Sequence, residues 1–300
     1  MAPTANAKGT QLSRLADHFQ SVPATQQGKG WNDLWETGYV PWDRGLPNPA
    51  LQDFLAERQD LLPSNSPDRK KVLVPGCGTG YDVLLFSSWG YDTYGLEVSE
   101  KAIEAARSAE KEMLKGNSIY EKKEGVKEAG RVTWLNGDFF KDQVFEDVEG
   151  EKNFDLIYDY TVGLLPPGYF AFCALILIIL QFGCALPPSL RPAWSKRLNK
   201  LLAPNGRLIC LEFPTYKSPT ALGPPWSMTP KVYMGHLPRP NQNLAYSDEE
   251  GLLEDELGPP AENGLRRIEH LKPKRTHRIG YDEEGNITDW IGVWVHQSSK

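Results

Sequence analysis

From Lys71 onward, short apolar runs alternate with stretches of helical periodicity, and no other feature constrains the fold of this chain as strongly. Each apolar run has strand length, and each is succeeded by enough chain to cross back over a sheet, so the repeating unit is βαβ and the sheet is mostly parallel. We read strands over 72–74, 93–96, 132–135, 154–158 and 207–213. Helices are expected from Asn48, which would cap Pro49 and the spaced Leu51, Phe54 and Leu55, from Ser99, and over 190–202 before Pro204-Asn205-Gly206. Residues 265–278 and 290–296, joined by a turn at Glu284-Gly285-Asn286, read as an antiparallel strand pair closing the sheet. Ligands of such α/β sheets bind at the carboxyl ends of the strands.

The first strand end carries the chemistry. It runs into Pro75-Gly76-Cys77-Gly78-Thr79-Gly80, where glycines at every second position let the backbone turn tightly and approach a ligand. Glu97 closes the second strand, 21 positions after Gly76, where an acid can accept both ribose hydroxyls of an adenosine. Asp138 takes the corresponding place after the third strand, suited to the adenine edge, with Phe139 beside it. Taken singly, these are a tight turn, a solvated acid and a helix cap. Their order at successive strand ends points to an adenosyl group.

The chain has 300 residues with 40% hydrophobic content and no compositional break. We therefore expect one domain over 31–300, preceded by a flexible arm over 1–30 with a short helix near 12–19. The Pro-rich stretch 214–262 reads as a long loop or lid over the site. A net charge of −6 argues against a nucleic-acid face, which needs clustered Lys and Arg. Neither the four cysteines nor the five scattered histidines show metal-ligand spacing, so no metal is expected. Residues 1–30 lack the apolar block of a signal peptide, which makes a cytoplasmic enzyme the expectation. Its expected partner is a small-molecule substrate, with no nucleic acid or membrane, and the protein is expected to be a monomer.

The glycine turn, together with Trp31, Trp35-Glu36, Pro41-Trp42-Asp43, Gly137-Asp138-Phe139-Phe140, Asp159-Tyr160-Thr161 and Leu190-Arg191-Pro192-Ala193-Trp194, resembles the thiopurine S-methyltransferase superfamily. Within it, the similarity runs to the thiol and halide methyltransferases of plants and fungi. It covers about residues 30–215 and is loose over the remaining C-terminal residues. The resemblance implies a Rossmann-like class I methyltransferase sheet with S-adenosyl-L-methionine as cofactor. It further implies that Trp31, Trp35 and Trp42 wall the pocket and that Gly76, Glu97, Asp138, Phe139 and Tyr160 touch the cofactor. Indole faces suit a sulfonium because they attract cations by about 0.5–2 kcal/mol each without acting as nucleophiles. Tyr160, at the end of the fourth strand, is the candidate catalytic contact to the nucleophile, and a simple pocket wall is its other reading. The expected reaction is methyl transfer to a thiol, hydrosulfide or halide. A nicotinamide-dependent oxidoreductase would share the turn and the acid, but it needs a third glycine one residue later and a Ser/Tyr-x-x-x-Lys set that is absent. A catalytically impaired cofactor-binding protein is the other alternative.

One stretch does not fit. Between Asp159 and Arg191 there is no charged residue, and 170–180 is an unbroken apolar run, too short for the roughly 20 residues of a membrane span. Removing 162–181 would place Phe182-Gly183-Cys184-Ala185 directly after Asp159-Tyr160-Thr161, the order the family shows. The segment starts with valine, whose codons begin GT, and ends with glutamine, for which CAG is one codon. We therefore expect 162–181 to be a retained intron of twenty codons.

Overall fold

The computed structural model describes residues 15–64, 68–160, 182–218, 221–247, 251–252 and 257–299. The suspected insertion 162–181 thus lies outside the described residues. Among the described residues nine strands form: β1 (Lys71–Pro75), β2 (Asp92–Glu97), β3 (Val132–Asn136), β4 (Phe154–Asp159), β5 (Leu202–Glu212), β6 (Tyr246–Ser247), β7 (Gly251–Leu252), β8 (Leu265–Leu271) and β9 (Trp290–His296). Seven of them make one sheet in the order β3-β2-β1-β4-β5-β9-β8, while β6 and β7 pair separately. Neighbours from β3 to β5 run parallel, and β9 is antiparallel to both β5 and β8. The chain therefore reverses its direction of winding between β1 and β4, and a crevice opens above their carboxyl ends.

Alternation along each strand sends side chains to both faces, and both are covered. Leu73, Ile157 and Leu208 meet Trp194, Leu198 and Val232 on one side. Val72, Val74, Leu156 and Tyr158 meet Leu51, Phe54 and Phe86 on the other. The helix Pro49–Glu57 begins where Asn48 Oδ1 accepts from Ala50 N at 2.7 Å, and Glu100–Met113 begins where Ser99 Oγ accepts from Ala102 N at 3.4 Å. Helix Arg191–Leu201 covers β4 and β5 and passes directly into β5, whose strand geometry already includes Pro204-Asn205-Gly206.

Three sequence expectations are corrected. Within the arm, residues 15–20 are helical, and Leu15 and Phe19 are buried, with the Phe19 ring 4.4 Å from that of Trp31. The stretch 214–262 is not simply a lid. Its helix Pro230–His236 buries Val232 and Tyr233 in the sheet's own core, which local periodicity could not reveal in so short and proline-flanked a segment. β8 ends at Leu271, not near 278, and the chain then folds through a largely exposed loop that buries Thr276, His277 and Asp289.

Asp82, in the first turn of helix Tyr81–Ser88, is buried and accepts from Asn48 N at 3.0 Å. Burial pushes its carboxyl from 3.8 up to about 7, with the Asn48 N–H opposing. The folded state then holds this proton more tightly than the unfolded chain. The stabilisation is complete below about pH 4 and is lost as pH rises through about 7. Asp82→Asn keeps the acceptor and removes the charge, so at pH 8 it is expected to add about 2 kcal/mol and to flatten stability between pH 4 and 8. Urea unfolding at both pH values checks this.

Candidate functional site

Above β1 the chain turns through Gly76, Gly78 and Gly80 with φ of 62°, 52° and 82°. Three left-handed residues at alternate positions bend the backbone into a concave nest of N–H groups, and only glycine adopts this cheaply. Gly80 has a second reason to lack a side chain, since a Cβ there would stand 2.2 Å from the Trp134 ring. Cys77 N donates to Leu96 O at 3.0 Å, which ties the turn to the end of β2.

Glu97 ends β2 with its carboxylate turned into the nest. Oε2 accepts from Gly78 N at 3.2 Å, while Oε1 accepts from Val98 N at 2.8 Å and Ser99 N at 3.4 Å. Burial raises this carboxyl above its ordinary range, and the three N–H groups pull it back down. The result is a carboxylate held in one orientation on the floor of a cavity.

Trp31, Trp35, Trp42, Gly76, Glu97 and Phe139 all line this cavity. The indoles come from helix Gln27–Glu36 and the loop after it, and they meet edge to face, with Trp42 5.3 Å from Trp31 and 5.8 Å from Trp35. The Trp31 Nε1 donor is buried there without a partner. Phe139 packs edge-on against Phe182 at 4.7 Å, and the pair gives the cavity an apolar aromatic wall. An acceptor pair at the floor, an apolar aromatic wall and an indole roof with a spare donor fit a nucleoside that carries a cation.

Asp138 is placed elsewhere. It is exposed, and its Oδ1 accepts from Phe140 N at 2.9 Å, so it closes the turn after β3 and is not part of the cavity wall. Tyr160 lies behind Trp42, in a second cavity of about 310 Å³ that Trp42 also lines. Its ring stacks on His277 at 6.3 Å, and burial drives its hydroxyl well above the ordinary tyrosine range. Sequence reading missed Phe182, Ala185 and Leu186 as cavity residues, because twenty-one residues, 161–181, separate them from Tyr160. It also missed Asp43, although Pro41-Trp42-Asp43 was visible. Asp43 accepts from Thr79 Oγ1 at 2.6 Å, Tyr81 hydroxyl at 2.7 Å and Gly45 N at 2.9 Å, and so latches the indole segment to the glycine turn.

Among the described residues no cluster of His, Cys, Asp and Glu could hold a metal ion, and no helix is long and apolar enough to cross a membrane. Residues 26–169 match the family model described as Thiopurine S-methyltransferase (TPMT). The chain is 33% identical over 226 residues to a protein of Arabidopsis thaliana named Probable thiol methyltransferase 2, covering 75% of this chain and 79% of that one. It is 32% identical over 212 residues to Thiocyanate methyltransferase 1 of Brassica oleracea, covering 71% and 73%. With Thiopurine S-methyltransferase of Legionella pneumophila (strain Paris) it shares 29% over 202 residues, covering 67% and 76%.

Proposed function

Since the chain belongs to the thiopurine S-methyltransferase superfamily and is accordingly an S-adenosylmethionine-dependent methyltransferase, we propose that its acceptor is a small soft nucleophile: a thiol, hydrosulfide or halide. The observation that carries the reading is the buried Glu97 carboxylate facing the glycine nest beneath Trp31, Trp35 and Trp42. The relatives' names point to sulfur acceptors. The acidic net charge favours a small molecule over nucleic acid, and we place the enzyme in the cytoplasm as a monomer.

When bound, S-adenosylmethionine supplies an electrophilic methyl carbon activated by its sulfonium charge. Glu97 would hold the ribose hydroxyls and Phe139 with Phe182 the adenine ring, while Gly76 leaves the backbone room to approach. Trp31, Trp35 and Trp42 exclude water around a positive charge without competing for the methyl group. Tyr160, protonated at neutral pH, can donate a hydrogen bond to an incoming anion on the far side of Trp42. Asp138 contributes by shaping the loop that carries Phe139. A dedicated base is not needed, because a free thiol with pKa about 8.5 supplies thiolate near neutrality. Positioning alone can contribute about 7–11 kcal/mol.

Asp43 acts through Trp42. Asp43→Ala is expected to weaken cofactor binding about 10-fold, read as Kd by calorimetry, and Asp43→Asn to recover part of it. Thr79→Ala combined with Asp43→Ala should cost little more than Asp43→Ala alone, because the two residues share one hydrogen bond. The acceptor is tested by offering iodide, hydrosulfide and a panel of thiols with S-adenosylmethionine and scoring methylated products. Transfer to at least one of them is expected. Transfer only to oxygen or nitrogen acceptors would overturn the reading.

A further inference from the structure

A cationic side chain lies buried away from both cavities. Arg191 opens helix Arg191–Leu201 and is 1% exposed. Its Nη2 donates to Ser227 O at 2.6 Å, but Nε and Nη1 are buried without any hydrogen-bond partner. Among the described residues no carboxylate pairs with it. Its guanidinium carbon lies 5.3 Å from the centre of the Tyr246 ring, and the Tyr246 hydroxyl interacts with it as a neutral partner that carries no counter-charge. Against the same ring, at 6.1 Å, stacks His236, which is also 1% exposed. His236 Nε2 meets the Tyr246 hydroxyl at 2.7 Å, and its Nδ1 has no partner. Burial and the nearby Arg191 charge press this imidazole down to about 3, so it is neutral.

If the Tyr246 hydroxyl donates to Nε2, the imidazole proton sits on Nδ1. Three buried N–H donors then lack a partner, beside a positive charge that no carboxylate pairs with among the described residues. Leaving a buried donor unpaired is costly, and leaving a buried charge without a counter-charge costs several kcal/mol more. Water could fill the donors but would not neutralise the charge. The end of the helix adds in the same sense, since backbone N–H groups and the dipole at Arg191 favour negative charge. Tyr246 is only half-buried and offers a way in from solvent.

We propose that Arg191, His236 and Tyr246 form a binding site for one small monovalent anion of about the size of chloride. The site is separate from the methyl-transfer cavity but mechanically joined to it. Arg191 grips Ser227 O, and the adjacent Trp226 N donates to Cys184 O at 2.9 Å, in the segment that supplies Phe182, Ala185 and Leu186 to the cavity wall. A bound anion would stiffen that wall from behind.

Thermal unfolding of the full chain in sodium chloride against sodium gluconate, at constant ionic strength and without cofactor, tests this. Chloride at 100 times its dissociation constant should raise Tm saturably by about 5 °C over gluconate. Arg191→Met, which keeps much of the volume, should abolish the difference, and His236→Gln should weaken the chloride affinity about 10-fold. Equal Tm values in the two salts would overturn the proposal, as would a chloride response that survives in Arg191→Met. Should Arg191→Met fail to fold, an unchanged chloride response in His236→Gln would overturn it equally.

Discussion

Glu97→Gln is expected to raise the Kd for S-adenosylmethionine about 30-fold, and Glu97→Ala about 100-fold or more. The carboxylate stands on the cavity floor and offers charge-assisted acceptors to a ribose, each worth roughly 1.5–3 kcal/mol. Gln keeps the length and one acceptor oxygen but replaces the other with a donor, which would face the N–H of Gly78 or of Val98. Ala leaves the N–H groups of Gly78, Val98 and Ser99 without their acceptor, so it should also lower stability. The two substitutions therefore separate binding from folding. Calorimetric Kd and Tm measured on the same samples check both, and an affinity within twofold of wild type for Glu97→Gln would remove Glu97 from the ribose contact.

Deleting 162–181 is expected to raise soluble yield and specific methyl-transfer activity about 10-fold. The reason lies in the residues that flank the segment. Asp159, at the end of β4, is fully buried, and its Oδ1 accepts from Gly183 N at 3.2 Å while Oδ2 accepts from Trp194 Nε1 at 2.8 Å. Burial pushes this carboxyl up to about 6 and the two donors oppose that, so the three residues form one compact joint. Only Tyr160, Thr161 and Phe182 would link Asp159 to Gly183 after the deletion. Four Cα steps of about 3.8 Å reach roughly 14 Å at most, ample for ends that already share a hydrogen bond. The same deletion removes the long uncharged run from the expressed chain and with it an aggregation hazard. Loss of both folding and cofactor binding in the shortened chain would show that the segment is integral. Spliced transcripts that always carry these twenty codons would exclude the retained intron.

The legible parts of the fold were those in which neighbours in sequence are also neighbours in space. The Asn48 and Ser99 caps, the first four strands and the glycine turn each depend on contacts within a few residues, and the structure places them within a residue or two of their expected positions, whereas β5 starts five residues early and β8 stops seven residues short. Glu97 could be set beside the glycine turn by reasoning because a parallel sheet puts its strand ends side by side, while the indoles, which lie ahead of the sheet, were placed only by the family resemblance. Asp138 stands apart from that cavity for a local cause. Its short side chain reaches the N–H two residues on, and this bond holds it outside the cavity wall.

Other features had no sequence signal. Helix Pro230–His236 is buried by the elements that pack on it, since seven residues carry too little periodicity to announce a face. The Asp159–Gly183–Trp194 joint and the Arg191–Ser227–Tyr246 cluster join residues up to fifty-five positions apart. By itself, then, the sequence determined the sheet, the glycine turn and the acid that faces it, because hydrogen bonding and side-chain period act over short stretches of chain. Tertiary structure alone decided that Tyr160 and Trp42 line a second cavity together, that Asp43 latches the aromatic roof and that Arg191 is buried with no paired carboxylate among the described residues, because those outcomes depend on which distant surfaces close over one another and shut out water.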